Sequence, residues 1–323
     1  MCQRVVFFSS YLMCLSFALA FQEETIDYDH FFKAVREGEL SQTADFLKRD
    51  LQIDYAVEGG WSVLMHAAYK GKPEMVRLLL ENGASVAYQD KYGWTALLCA
   101  ASAGHTEAVN LLIEHGSVVD HVNQWGESAL MMAAFNQQTE VVETLLIQGA
   151  DPLLVNKKGE SALMKACMRG TLRIVDSFLA RKMNLEVVDD LGQTALMHAA
   201  ILGYEDYIKR LVEAGAKMET VDKKGRNALI WAAYYGNVSA VDMLVSLGAK
   251  VDKVDHDSAS PLMYSSESGY DQITLILLVA GADPLLKNKN GKTARDLAEA
   301  KGRKESIRLL DSYQAGLSTQ KPN

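Results

Sequence analysis

A methionine closes the phrase Thr194-Ala195-Leu196-Met197, and the same position in equivalent phrases along the chain holds Met65, Leu98, Met131, Met164, Ile230 and Met263. A ladder of thioethers would be soft-metal chemistry. Leu98 and Ile230 argue against it: the column takes an apolar filler and does not ask for sulfur, which is how methionine is used in adaptable core packing. The position one residue further on changes character from phrase to phrase, and any function belongs there rather than in the methionines.

Other reactive groupings fare no better. Gly291-Lys292-Thr293 resembles the end of a phosphate-binding loop, but Leu286 stands where the earlier glycine is required. The reading as a turn glycine followed by a helix cap is preferred. The sequence contains no G-x-S-x-G, no H-E-x-x-H and no C-x-x-C, so neither a hydrolase elbow nor a zinc motif is present. A net charge of -8 argues against nucleic-acid binding, which calls for a basic excess. At 323 residues, with 49% hydrophobic and 23% charged residues, the chain can bury a substantial core.

Residues 1–20 read as a secretory signal peptide. Arg4 precedes an apolar run from Val5 to Leu19, and Ala18-Leu19-Ala20 is a small-x-small cleavage site. The run is shorter than the roughly 20 apolar residues a membrane span needs, and no small residue precedes Cys14 as a lipid-modified cysteine would require. The mature chain is then expected to begin near Phe21, in an exported compartment. A bacterial periplasm is favoured, with the outside medium or a secretory lumen as alternatives, because no disulfide framework accompanies the signal.

The elements that position all of these residues recur every 33 residues. Segments open at Gly60, Gly93, Gly126, Gly159, Gly192, Gly225, Ser258 and Gly291, without insertion or deletion, and 21 of the 23 glycines fall in three columns of that register. Such columns mark turns and helix ends that use a left-handed backbone. Two residues after each opening stands Ser62, Thr95, Ser128, Ser161, Thr194, Asn227, Ser260 or Thr293, each able to cap a helix start. A second segment carries an i, i+3, i+4 apolar stripe, as in Val76-Leu79-Leu80 and Val109-Leu112-Ile113. Each unit is therefore turn, short helix, turn, longer helix. Cys99 and Cys167 lie two units apart, too far to bridge, and His66 and His198 lie four units apart, about 40 Å at ordinary helix spacing.

The phrases "GWTALLCAASAGHTEAVNLLIEHG" and "GQTALMHAAILGYEDYIKRLVEAGA" resemble the G-x-T-P-L-H-x-A-A-x-x-G-H pattern of ankyrin repeats, and "NGKTARDLAEAKGRKESIRLL" is similar to that family's usual last repeat. The resemblance implies an all-α solenoid of stacked helix pairs with loop fingers and a concave binding face. It divides the chain into a short segment 21–26, a degenerate first unit 27–59, seven full repeats over 60–290, a closing repeat 291–316 and a polar tail 317–323. Gln137 and Lys182 occupy glycine columns, so irregular turns are expected there, at roughly 1 kcal/mol each.

Surface columns carry the functional reading. Residues six, nine and ten after each opening share one helix face, and they include Tyr69, Phe135, Trp231, Tyr234, Tyr235 and Tyr264. The finger columns add Trp61, Tyr92, Trp94 and Trp125, together with Lys157, Lys158, Lys223, Lys224 and Arg226. Exposed aromatic clusters of this kind mark protein-binding sites; the alternative is packing of neighbouring fingers on one another. The lysines read equally as a solvated rim or as contacts to an acidic partner. The expected function is a non-catalytic scaffold, monomeric when unbound, that holds a protein partner and needs no cofactor, metal, nucleic acid or membrane. The alternative is metal binding or a cryptic enzymatic activity on the same scaffold.

Overall fold

The computed structural model describes residues 28–49, 51–56 and 60–319; the signal peptide and segment 21–26 lie outside them. The described residues form 18 helices, in pairs, and no strand. The first pair is α1 (Tyr28–Glu37) and α2 (Leu40–Leu47). Seven pairs follow: α3 (Val63–Tyr69) with α4 (Pro73–Glu81), α5 (Ala96–Ala103) with α6 (Thr106–Glu114), α7 (Ala129–Phe135) with α8 (Thr139–Ile147), α9 (Ala162–Arg169) with α10 (Leu172–Leu179), α11 (Ala195–Leu202) with α12 (Glu205–Glu213), α13 (Ala228–Tyr235) with α14 (Val238–Ser246), and α15 (Pro261–Ser268) with α16 (Asp271–Val279). The last pair is α17 (Ala294–Ala300) and α18 (Lys304–Thr319), so helix continues to Thr319, into the segment read from sequence as tail.

All eight predicted caps form. Ser62, Thr95, Ser128, Ser161, Thr194, Asn227, Ser260 and Thr293 each accept the backbone N–H three residues on, at 3.0–3.3 Å, a contribution of about 1 kcal/mol per cap. In seven of the eight the donor is the methionine column, whose side chains meanwhile fill the core: Met65, Leu98, Met131, Met164, Met197, Ile230 and Met263 are all buried, while Asp296 N–H closes the Thr293 cap. One position thus closes the cap with its backbone and seals the repeat with its side chain. First helices stack on first helices and second on second, which is why the paired alanines Ala67-Ala68 through Ala232-Ala233 are fully buried. Cys99 and Cys167 are free and buried, and burial pushes the Cys167 thiol up to about 12.

The fingers are tied edge to edge by backbone bonds from one repeat to the next, among them Gln124 N–H to Tyr92 C=O (2.8 Å), Lys157 to Trp125 (2.9 Å), Lys223 to Leu191 (3.0 Å) and His256 to Lys224 (2.9 Å). Gly192 shows why most openings are glycine: its φ is +81° and a Cβ there would meet Lys223 N at 2.8 Å.

Irregularity falls at the predicted turns, with additions. Gln137 (φ 64°) and Lys182 (φ 49°) hold left-handed backbone, and Ser258 (φ 57°) does so in the opening column. Gly170 departs from its column: it is extended (φ -67°, ψ -177°), and it is glycine because a Cβ would crowd the Ala166 carbonyl at 2.7 Å. Thr171 consequently caps α10 through Ile174 N–H at 3.4 Å. In four other repeats the residue at this position, Lys72, His105, Asn237 or Arg303, reaches back to the preceding repeat, as Lys72 does to Glu37 C=O (2.6 Å) and Asn237 to Ile201 C=O (2.6 Å). Thr171 is too short for that reach, and Tyr207 of the next repeat donates to Gly170 C=O instead, at 2.8 Å.

Candidate functional site

Each finger from the one opening at Gly93 onward is built on an Asp or Asn three residues before the opening: Asp90, Asn123, Asn156, Asp189, Asp222, Asp255 and Asn288. In every case Oδ1 accepts two backbone N–H groups, two and four residues on, at 2.8–3.0 Å. This is the local hydrogen-bonding habit that suits Asx side chains to turns.

In the five fingers opening at Gly126 to Ser258 the second atom of that side chain matches what the neighbouring residues present; Asp90 and Asn288 make only the backbone bonds. In three of the fingers built on a carboxylate, the sixth residue after the opening bonds to Oδ2: His198 Nε2 meets Asp189 at 3.0 Å, Trp231 Nε1–H donates to Asp222 at 3.1 Å, and Tyr264 O–H donates to Asp255 at 2.5 Å. Where the second atom is an amide N–H, it needs an acceptor, and Glu127 (3.3 Å) and Glu160 (2.7 Å) supply it. The sixth residues are then Met132, which makes no demand, and Lys165, which pairs with Glu160 at 2.6 Å and Glu127 at 3.7 Å. Burial alone would raise the Glu160 carboxyl, but its bonds from Lys165 and Asn156 prevail and hold it below the usual range. Asp189 behaves likewise: burial opposes ionisation, and the bonds from His198 and the Gln193 and Leu191 amides win. Burial and then the Asp255 hydrogen bond raise the Tyr264 phenol. This Asp/Asn column escaped the sequence reading although its 33-residue period is plain, because a turn residue is not by itself a candidate for chemistry.

The ten aromatic candidates fall into separate groups. Trp61 packs 5.2 Å from the His66 ring and 5.4 Å from Tyr69. Tyr92 and Trp125 stack between neighbouring fingers at 5.7 Å, yet both stay exposed; here packing between fingers and availability coexist. Trp94 is partly buried against the core. Phe135 lies under Lys165 and Arg169, at 5.5 and 5.3 Å. Trp231, expected on the surface, is 8% exposed: its indole N–H is spent on Asp222, Tyr235 stacks on it at 5.7 Å, and the Arg226 guanidinium covers its ring at 4.7 Å. Tyr234 stands 5.2 Å from Tyr235 and 5.3 Å from Tyr264, and Tyr234 and Tyr235 themselves are exposed. Among the described residues no group of three or more His, Cys, Asp or Glu side chains is placed to hold a metal ion, and no helix is long and apolar enough to cross a membrane.

The family model described as ankyrin repeats (three copies) matches residues 31–123, 64–156, 130–222 and 215–288. The chain belongs to the ankyrin repeat family. Its fold is accordingly the ankyrin solenoid, and proteins of this family are generally protein–protein interaction scaffolds. Among solved structures the chain is similar to the ankyrin repeat domain of Bcl-3, described as a unique member of the IkappaB protein family, with 28% identity and a TM-score of 0.62 over 68% of this chain and 100% of that one. A search of curated proteins found no match.

Proposed function

We propose that this ankyrin protein is a non-catalytic scaffold of an exported compartment, holding a partner protein on the first-helix face and fingers. The observation that carries the reading is the contiguous set of exposed rings around a buried anchor, Tyr234 and Tyr235 over Trp231 and beside Tyr264. An ankyrin stack does not need large aromatics at these positions, since other repeats fill them with Met132 or Ile201, and rings backed by a rigid buried layer lose little entropy on binding. Export rests on the apolar segment Val5 to Leu19 and the Ala18-Leu19-Ala20 site, with a periplasm the favoured compartment.

Affinity capture from the native compartment, comparing wild type with Tyr235→Ala and Trp125→Ala, tests the reading. Both positions are exposed, so loss of a captured protein with retained helicity reports on contact. Equal capture by all three forms would remove these rings from the binding face.

A further inference from the structure

The cluster around Arg226 identifies the kind of partner segment this face accepts. Arg226 lies 4.7 Å from the Trp231 ring, 5.0 Å from Tyr234 and 5.6 Å from Tyr264, so three rings hold one guanidinium. The Arg226 side chain is only 13% exposed and shares a long ion pair with Asp255, so it backs the surface and only its outer edge is open to a partner. Asp222 spends its oxygens on the Lys224 and Arg226 amides and the Trp231 indole, and Asp255 spends its own on two amides and the Tyr264 hydroxyl. The nearest approach is 3.7 Å, from Arg226 Nε to Asp255 Oδ2, and that Nε makes no hydrogen bond. A guanidinium stacked on rings keeps its planar edge for two-point contact with an oxyanion.

The surroundings agree in sign. Lys223 and Lys224, on the same finger, are exposed and make a cationic tip in front of Arg226 on a protein whose net charge is -8; exposed Asp190 on the preceding finger and Asp257 on the next are the acids beside them in the register, while Lys157 and Lys158 two fingers back are exposed as well. Tyr234 and Tyr235 flank the tip with exposed ring surface. We infer that this tip and its tyrosines recognise an acidic partner segment, in which a Glu or Asp carboxylate meets the two lysines and the outer edge of Arg226 while an adjacent aromatic side chain packs on Tyr235. The inference rests on the scaffold reading above and adds the chemistry of the partner.

The test uses the purified protein and two fluorescein-labelled probes, a random Glu–Tyr copolymer and a Lys–Tyr copolymer, followed by anisotropy at moderate salt. Non-specific attraction to an acidic protein would favour the Lys–Tyr probe, so the expected preference for Glu–Tyr runs against net charge. Lys223→Glu with Lys224→Glu is expected to weaken Glu–Tyr binding about tenfold without loss of helicity, and Arg226→Ala to weaken it at least as much. Tyr235→Ala should weaken it while Tyr235→Phe retains it. Tighter binding of Lys–Tyr, or Glu–Tyr binding within about twofold of wild type after the lysine reversal, overturns the assignment. Capture of a native partner that depends on Tyr235, combined with no Glu–Tyr binding, overturns the acidic chemistry and leaves the scaffold reading standing.

Discussion

The repeats opening at Gly60 and Gly225 place the same two columns in contact with the chemistry exchanged. In the first, the Trp61 ring lies against the His66 imidazole at 5.2 Å; in the second, the Arg226 cation lies over the Trp231 ring at 4.7 Å. The repeat opening at Gly159 gives a third version, Glu160 against Lys165 at 2.6 Å. The backbone fixes that the first and sixth residues after the opening touch, and the sequence chooses which is ring, cation or acid. What differs most is the layer beneath. Trp231 is anchored to the finger through Asp222, whereas Val57 stands in the sequence at the corresponding position for His66.

The largest expected consequence of that difference is in stability. Trp231→Ala removes a buried ring and strands the Asp222 acceptor, and is expected to cost about 3–5 kcal/mol. Trp61 is only partly buried, and Trp61→Ala should cost about 1–2 kcal/mol. Urea unfolding of both variants measures the gap, and equal losses would mean the buried anchor adds nothing.

A double-substitution cycle sharpens the point. Asp222→Asn keeps a carbonyl oxygen for the finger amides but turns an N–H toward the Trp231 indole N–H, leaving buried donors opposed at a cost of about 1–3 kcal/mol. Trp231→Phe removes the second donor, so the pair together should cost less than the sum of the single changes. Strict additivity in urea unfolding would break the claim that Asp222 and Trp231 are matched to one another. Glu160→Gln is the parallel change in the third version. Lys165 retains Glu127 at 3.7 Å, so the expected loss is smaller, about 1 kcal/mol by the same measurement.

Much of this molecule was legible in sequence because ankyrin repeats are stabilised by near neighbours, so the in-frame glycines, caps and apolar stripes each report on structure close by. The caps from Ser62 to Thr293 and the buried methionine column needed only local physics. Gly170 was misread because two reasons for a glycine look alike in sequence: a left-handed φ, and crowding at Ala166. Trp231 was misread because exposure depends on what lies above a side chain, and Arg226, although counted among the finger residues, gave no sign in the sequence of folding over it. The Asp222–Trp231 and Asp255–Tyr264 pairs were in reach, since a fixed nine-residue offset joins each acid to its donor. That offset becomes visible as an interaction only once the finger is known to fold back on the helix.

The smallest effect concerns the two histidines of that sixth column. Desolvation, followed by the charges of Arg36 and Lys70, lowers the His66 pKa from its usual value near 6.5, while His198 meets the Asp189 carboxylate at 3.0 Å. Below that usual value the unfolded chain binds a proton that folded His66 resists, so the unfolded state gains protons and stability falls as pH drops from about 6.5 through the lowered folded value. Asp189 contributes in a different window: its folded pKa lies below 3.8, so its stabilisation is full above about that pH and is lost only as pH falls further. Acidification from pH 7.5 to 5.5 should therefore loosen the Trp61–His66 unit, while Asp189 stays ionised throughout that range. Hydrogen exchange of the α3 amides against those of α11 reads the two units separately, and His66→Gln should flatten the response of α3 alone. Equal acid sensitivity of α3 and α11 would show that the acid beneath the histidine, and not the shared column, had been given too much weight.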